Sequence, residues 1–254
     1  MIKQLITRIQ QGERTVSFPG EVRLSDRFRG LLKIDSSKCI NGCVECVKAC
    51  PTESIAITSN GPRIDLGRCV FCQECILACP THAIQYSNDY RMATRTREGL
   101  VLDDNGIKLA EALDKKSRAL FGHSLKLRQV SAGGCNGCEV EINALNNVVF
   151  DIARLGIQMV ASPRHADGLL ITGPVTENML LALVKTYKAI PNPKIVVAVG
   201  GCAISGGPFR DLSNVRNGAA SIVPVDLFIP GCPPHPFTIL DGLLRLLGRL
   251  EAGD

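Results

Sequence analysis

Twelve cysteines in 254 residues fall into three sets of four with none left over. Cys39, Cys43, Cys46 and Cys50 form the first run, and Pro51 follows directly. Cys69, Cys72, Cys75 and Cys79 form the second, followed by Pro80. The third set is dispersed: Cys135 and Cys138 in GGCNGCE, Cys202 in GGCAISGG and Cys232 in IPGCPPHP. Four thiolates hold one [4Fe–4S] cluster, so the chain carries ligands for three. Structural zinc sites usually pair two CxxC units across a longer loop. Three cysteines within seven or eight residues plus a Cys-Pro cysteine, twice over, fit iron–sulfur ligation better.

The second run, C-x2-C-x2-C-x3-C-P, has the spacing of bacterial two-cluster proteins, in which the fourth cysteine reaches across to the other cluster. That pattern assigns Cys39, Cys43, Cys46 and Cys79 to one cluster and Cys50, Cys69, Cys72 and Cys75 to the other. The first run departs from it by one residue, Cys39-x3-Cys43. We expect Asn41 to be the insertion, since asparagine tolerates the left-handed backbone of a bulge.

Four regions are expected. Residues 1–34 form a basic extension with seven Lys/Arg against three Asp/Glu, opening on a short amphipathic helix through Ile2, Leu5, Ile6 and Ile9. Residues 35–90 form a small α+β unit with four Lys/Arg against six Asp/Glu. Its halves repeat, CPTESIAI and CPTHAIQY each following four cysteines, and it is too small for an ordinary core, so clusters must substitute for one. Residues 91–124 are a linker with a helix at 105–121. From 125 to 254, β-prone runs (LKLRQV, GIQMV, GLLIT, KIVVAVG, SIVPVDLF) alternate with helical stretches near 139–150, 177–189 and 236–250. That alternation predicts α/β architecture with a doubly wound parallel sheet. All four cysteines of the third set then lie past the carboxyl ends of strands, where open α/β sheets build their sites.

A net charge of +5 without a long basic run gives no sign of a nucleic-acid partner. No signal sequence or apolar stretch near the ~18 residues of a membrane span is visible, so a peripheral protein in a thiol-reducing compartment is expected. The basic extension suits an acidic partner or an anionic membrane surface. Six side chains are not expected to be ligands: Glu139 and Glu141 as a satisfied polar pair at a helix start, Arg164 and His165 in structural or interface roles, Asp226 as a local hydrogen-bond acceptor, and His235 beside Cys-Pro-Pro, where four cysteines already supply the ligands.

FRGLLKIDSSKC followed by the two cysteine runs resembles the two-cluster ferredoxin subunit shared by respiratory complex I and membrane-bound hydrogenases. The stretch from GGCNGCEVEINAL through SPRHADGLLITGPVT and PKIVVAVGGCAISGG to VPVDLFIPGCPPHP resembles the small subunit of group 4, energy-converting [NiFe] hydrogenases, as though the two subunits were fused. The resemblance implies a flavodoxin-like C-terminal domain whose proximal cluster is held by Cys135, Cys138, Cys202 and Cys232. It implies no catalytic residue on this chain, but electron transfer from a low-potential donor such as ferredoxin, through three [4Fe–4S] clusters, to a NiFe site on a large subunit that reduces protons to H2. Ion-translocating membrane subunits and a place at the cytoplasmic face of the cell membrane are implied with it. The related complex I subunit has two adjacent cysteines where this chain has Cys135-Asn136-Gly137-Cys138, so the hydrogenase branch is favoured over a complex-I-like quinone- or sulfur-reducing relative.

Overall fold

The switch from cysteine runs to alternating apolar strands divides the molecule into a small N-terminal unit and a larger α/β unit, packed against one another. The computed structural model describes residues 2–20 and 22–250; Met1, Glu21 and residues 251–254, at the ends of the first and last expected regions and within the first, lie outside the described residues. Helix α1 (Ile2–Gln11) buries none of its residues. Strand β1 (Leu32–Ile34) precedes the first cysteine run, helix α2 (Glu45–Ala49) carries Cys46, and β2 (Ile55–Thr58) and β3 (Gly61–Asp65) form a hairpin. Helix α3 (Glu74–Leu77) carries Cys75, and β4 (Ile84–Tyr86) and β5 (Val101–Leu102) complete the unit.

The repeat legible in the sequence is structural. Both β-prone triplets after Cys-Pro become strands, β2 and β4, and the antiparallel pairing of β1 with β4 joins the two halves (Leu32 opposite Tyr86, Ile34 opposite Ile84). Glu53 and His82, three residues after each fourth cysteine, both adopt positive φ, at 50° and 52°. The extra residue of the first run departs from expectation. The left-handed residue is Gly42 at φ 79°, not Asn41, because glycine takes that conformation without a Cβ penalty.

Helix α4 (Lys115–Phe121) is the only part of the expected 105–121 helix that forms. Asp114 stops it from starting earlier: its carboxylate caps the N–H groups of Lys116 and Ser117 at 2.9 and 3.0 Å. Beyond it come β6 (Leu125–Ser131), α5 (Gly137–Ala144), β7 (Ile157–Met159), β8 (Gly168–Thr172), α6 (Glu177–Ala189), β9 (Ile195–Val199), α7 (Gly201–Ser205), β10 (Leu227–Ile229) and α8 (Pro236–Leu246). The five strands are all parallel, in the order β10-β9-β8-β6-β7. Numbered within the domain this is 2-1-3-4-5, the flavodoxin-like winding, and its switch point lies between β6 and β8. Every residue of β8 and β9 is buried, as strands covered on both faces should be. Val223 and Val225 of the last β-prone run lie outside β10, which is shorter than expected.

Helix α8 is buried along its whole length and carries an ion pair inside the core, Arg245 Nε to Asp241 Oδ1 at 3.0 Å. Burial raises the Asp241 carboxyl pKa while Arg245 and Arg91 pull it down, which ties the 89–91 segment electrostatically to this helix. The two units share one apolar cluster in which Leu66, Cys69 and Phe71 meet Ala198, Ala203, Ile204 and Phe228. Thr94 pairs with Phe228 through both backbone bonds, at 3.0 and 2.9 Å, and so covers the edge of β10. The Ser205 hydroxyl donates to the Gly67 carbonyl at 2.8 Å.

Candidate iron–sulfur sites

The fold brings the twelve sulfurs into three neighbourhoods. Cys39, Cys43 and Cys46 come from the loop entering α2 and its first turn, and Cys79 joins them from the end of α3. Burial raises the Cys39 and Cys46 thiol pKa values, and each is raised further by the charges of Cys43 and Cys79. Cys50, at the end of α2, instead faces the second run. With Cys69, Cys72 and Cys75 it lines a narrow cleft walled by Ile55, Ile64, Val70 and Tyr86. There burial pushes Cys69 up to about 12 and Cys75 up to about 11, with the charges of Cys50 and Cys72 adding to both. Cys75 also feels Cys46, so the two neighbourhoods adjoin.

The fourth cysteines behave differently. Burial opposes it, yet hydrogen bonds bring both Cys50 and Cys79 below the ordinary thiol value. The Ser54 N–H donates to Cys50 Sγ at 3.3 Å, and the Ser54 hydroxyl lies 3.0 Å from it. In the other half the Ala83 N–H donates to Cys79 Sγ at 3.2 Å, with the Thr81 hydroxyl at 3.7 Å. The signal was present in the sequence as the repeated Cys-Pro-Thr. The turn after proline aims the N–H two positions beyond threonine back at the sulfur, and donors to sulfur favour thiolate.

The third neighbourhood sits at the carboxyl end of the parallel sheet. Cys135 lies in the loop after β6 and Cys138 on the first turn of α5, at the switch point; Cys202 opens α7 after β9, and Cys232 follows β10. Burial raises Cys138 strongly and Cys202 to about 12; Cys202 and Glu139 add most to the first, and Cys232 and Cys135 to the second. Glycine makes the approach possible. A methyl group built on Gly200, whose φ is 89°, would fall inside 3.0 Å of Cys138 Sγ, and one on Gly207 would lie 2.8 Å from Cys202 Sγ. Such space around sulfur suits an inorganic cluster approached closely by backbone. Cys135 and Cys232 are exposed, whereas Cys138 and Cys202 are half-buried.

Among the described residues no three His, Cys, Asp or Glu side chains gather closely enough to hold a single metal ion. The wider sets, the cleft and the glycine cradle fit the larger [4Fe–4S] core. The neighbourhoods run in series: a Cβ on Gly201, beside Cys202, would lie 3.5 Å from the Cys69 carbonyl oxygen.

The remaining candidate residues stand outside the three sulfur sets; Glu141 is half-buried, and burial raises its carboxyl above the usual range. Glu139 accepts hydrogen bonds from the Ser131 and Thr172 hydroxyls at 2.5 and 2.6 Å, and despite burial these keep its carboxyl below the usual range. Asp226 accepts from the Val196 N–H at 2.8 Å. His235 caps α8, its Nδ1 accepting from the Phe237 N–H at 3.2 Å, and is packed among Phe28, Phe150 and Phe237. Arg164 and His165 lie exposed on a short turn before β8.

Comparison with known proteins finds a match for each unit. Residues 135–246 match the family described as NADH ubiquinone oxidoreductase, 20 Kd subunit, and residues 38–83 match the 4Fe-4S dicluster domain. Formate hydrogenlyase subunit 7 of Escherichia coli is 44% identical over 156 residues, covering 59% of this chain and 61% of that protein, so less than two thirds of that relative's length is spanned. Probable membrane-bound hydrogenase subunit mbhJ of Pyrococcus furiosus is 43% identical over 51% of this chain and 78% of its own length. An NADH-quinone oxidoreductase subunit of Bacteroides thetaiotaomicron is 46% identical over 45% of this chain and 58% of its own. The chain is thus an iron–sulfur oxidoreductase subunit that belongs to the 20 kDa subunit family shared by hydrogenases and complex I, joined here to a 4Fe-4S dicluster domain.

Proposed function

We propose that this chain is the electron-transfer subunit of a membrane-associated [NiFe] hydrogenase complex, connecting a low-potential donor, ferredoxin, to a NiFe site on a partner large subunit that reduces protons to H2. Three [4Fe–4S] clusters, when bound, supply one-electron centres. Cys39, Cys43, Cys46 and Cys79 hold the first, Cys50, Cys69, Cys72 and Cys75 the second, and Cys135, Cys138, Cys202 and Cys232 the proximal one. The protein's own part is to hold these thiolates in series and to exclude water from the middle set with Ile55, Ile64 and Tyr86. It also aims N–H groups at Cys50 and Cys79. The observation that carries the reading is the close approach of the second neighbourhood to both the first and the third, the third opening to the surface at exposed Cys135 and Cys232. Among the described residues no helix is long and apolar enough to cross a membrane, so attachment at the cytoplasmic face would run through ion-translocating membrane subunits or the lipid surface itself.

A second reading, a complex-I-like subunit serving a quinone or sulfur reductase without nickel, is favoured by the 46% identity to the NADH-quinone oxidoreductase relative. Anaerobically prepared complex decides between them. The hydrogenase reading expects about 12 iron and 12 acid-labile sulfide in this chain, nickel in the partner, and H2 from reduced ferredoxin without quinone. Iron near eight removes the third cluster, and a nickel-free complex that makes no H2 removes the hydrogenase.

A further inference from the structure

Helix α1 contributes nothing to the fold it belongs to. None of its residues is buried, and Ile2, Leu5, Ile6 and Ile9 are 75, 62, 49 and 79% exposed. At about 100° per residue these four side chains share an arc of about 100°. Gln4, Thr7 and Gln11 occupy the opposite face, and Gln10 lies about 40° beyond one edge of the apolar arc. The two charged residues of the helix, Lys3 and Arg8, are both cationic, and each lies about 60° beyond one edge of the apolar arc. The helix carries no acidic residue.

The segment after α1 is firmly attached. The Thr15 hydroxyl donates to the Val148 carbonyl at 2.8 Å, and the Val16 N–H donates to the Val149 carbonyl at 2.9 Å. Arg154 donates to the Val16 carbonyl, and Phe18 is buried against Tyr90 and Phe237. Val148 and Val149, at the root, are 58 and 37% exposed, so apolar surface continues from the helix onto the domain. Arg23 lines the same surface as Val16 and Val149 at the root, and Arg14 follows the helix beside Glu13.

We propose that α1 is a lipid-surface anchor that lies in the plane of an anionic bilayer, with Ile2, Leu5, Ile6 and Ile9 in the headgroup–acyl boundary. The charge pattern selects this occupant. Cations on both flanks of an apolar arc extend along it and meet lipid phosphates on either side, whereas a polar face of uncharged glutamines and threonine can stay in water. The anchor deepens the membrane-associated reading above and rests on it only for the cellular setting.

The test is flotation of the full-length chain with phosphatidylcholine vesicles containing one quarter phosphatidylglycerol, against pure phosphatidylcholine vesicles, at low and high salt. Wild-type chain should float with the anionic vesicles, more weakly at high salt. Lys3→Gln with Arg8→Gln should weaken the partition about 30-fold, at about fivefold per cation near the surface. Leu5→Asp with Ile9→Asp should abolish it, and both variants should keep wild-type iron content. Equal affinity for neutral vesicles, no affinity for either, or unchanged partition of the variants overturns the anchor. So does release of the Leu5→Asp/Ile9→Asp variant from a detergent-solubilised, lipid-free complex, which would make the occupant a groove on a partner protein. A chain that floats but holds no clusters would sink the electron-transfer reading and leave the anchor; full clusters without vesicle affinity would do the reverse.

Discussion

Gly200→Ala isolates the third site from the rest of the molecule. Gly200 has φ 89° and ψ 154°, a region that side-chain-bearing residues enter at about 1–3 kcal/mol. The added methyl also falls inside 3.0 Å of Cys138 Sγ, a distance that real Cβ atoms essentially never show. Ordinary contact begins at 3.4 Å, so either the sulfur moves or α5, on which it sits, tilts away. Metal–ligand geometry tolerates displacements of only about 0.2 Å. Gly200→Ala should therefore lose the proximal cluster, with iron per chain falling by about four, while both clusters of the 38–83 region persist by electron paramagnetic resonance. Gly106→Ala is the control: its φ is 82°, but nothing lies within 4 Å of the added methyl. It should cost roughly 1–2 kcal/mol, or some 2–8 °C in melting temperature at about 2–4 °C per kcal/mol, and leave the iron unchanged. Full iron in Gly200→Ala with an unaltered proximal signal would refute the cradle and the assignment of Cys138 with it.

Crossed ligation predicts that Cys50→Ala disturbs the signal of the cluster held with Cys69, Cys72 and Cys75, and Cys79→Ala that of the cluster near α2; an effect on each cysteine's own run would reverse the assignment. Arg245→Met removes the ion-pair partner of Asp241 in the core and should cost about 3–5 kcal/mol in chemical denaturation, whereas Asp241→Leu added to it should recover much of the loss. In the cluster-free chain the larger unit, which keeps its own apolar core, should weaken in alkali: burial raises Cys202 to about 12, above the unfolded value of about 8.5. Its contribution is fully present below that value and lost as pH rises through the folded value, so stability measured by denaturation should fall between about pH 8.5 and 12. A flat profile over that window would show the Cys202 thiol is not buried as described.

The iron–sulfur character was legible because closely spaced cysteine runs suit little else, and the parallel sheet because β8 and β9 are almost uninterrupted apolar runs. What sequence missed was decided locally or at distance. The periodicity of Ile107, Ala110 and Leu113 suggested helix, but Asp114 offers a strong cap and the chain ahead of it packs in irregular form, with the Ala110 and Leu113 N–H groups donating to Ala93 and Leu246. Tertiary hydrogen bonds there replaced the helical ladder. The bulge in the first run fell to Gly42 rather than Asn41 because the two neighbours competed for one left-handed position. The Thr94–Phe228 bridge and the Ser205–Gly67 bond join residues more than 130 positions apart, and no local pattern announces them.

The three sites are not equivalent in their electrostatics. In the first two, N–H dipoles from Ser54 and Ala83 point at sulfur and favour negative charge. In the third, a buried Glu139 carboxylate beside Cys138 is kept ionised by two hydroxyls and bears on both Cys138 and Cys202. A fixed negative charge in a poorly solvated site opposes the arrival of an electron, while donors to sulfur assist it. A cluster held there would be lower in potential than its sulfur ligands alone would leave it. In the proposed complex that would favour passing electrons on to a partner that reduces protons, and it would give Glu139 an electrostatic role beyond the helix start.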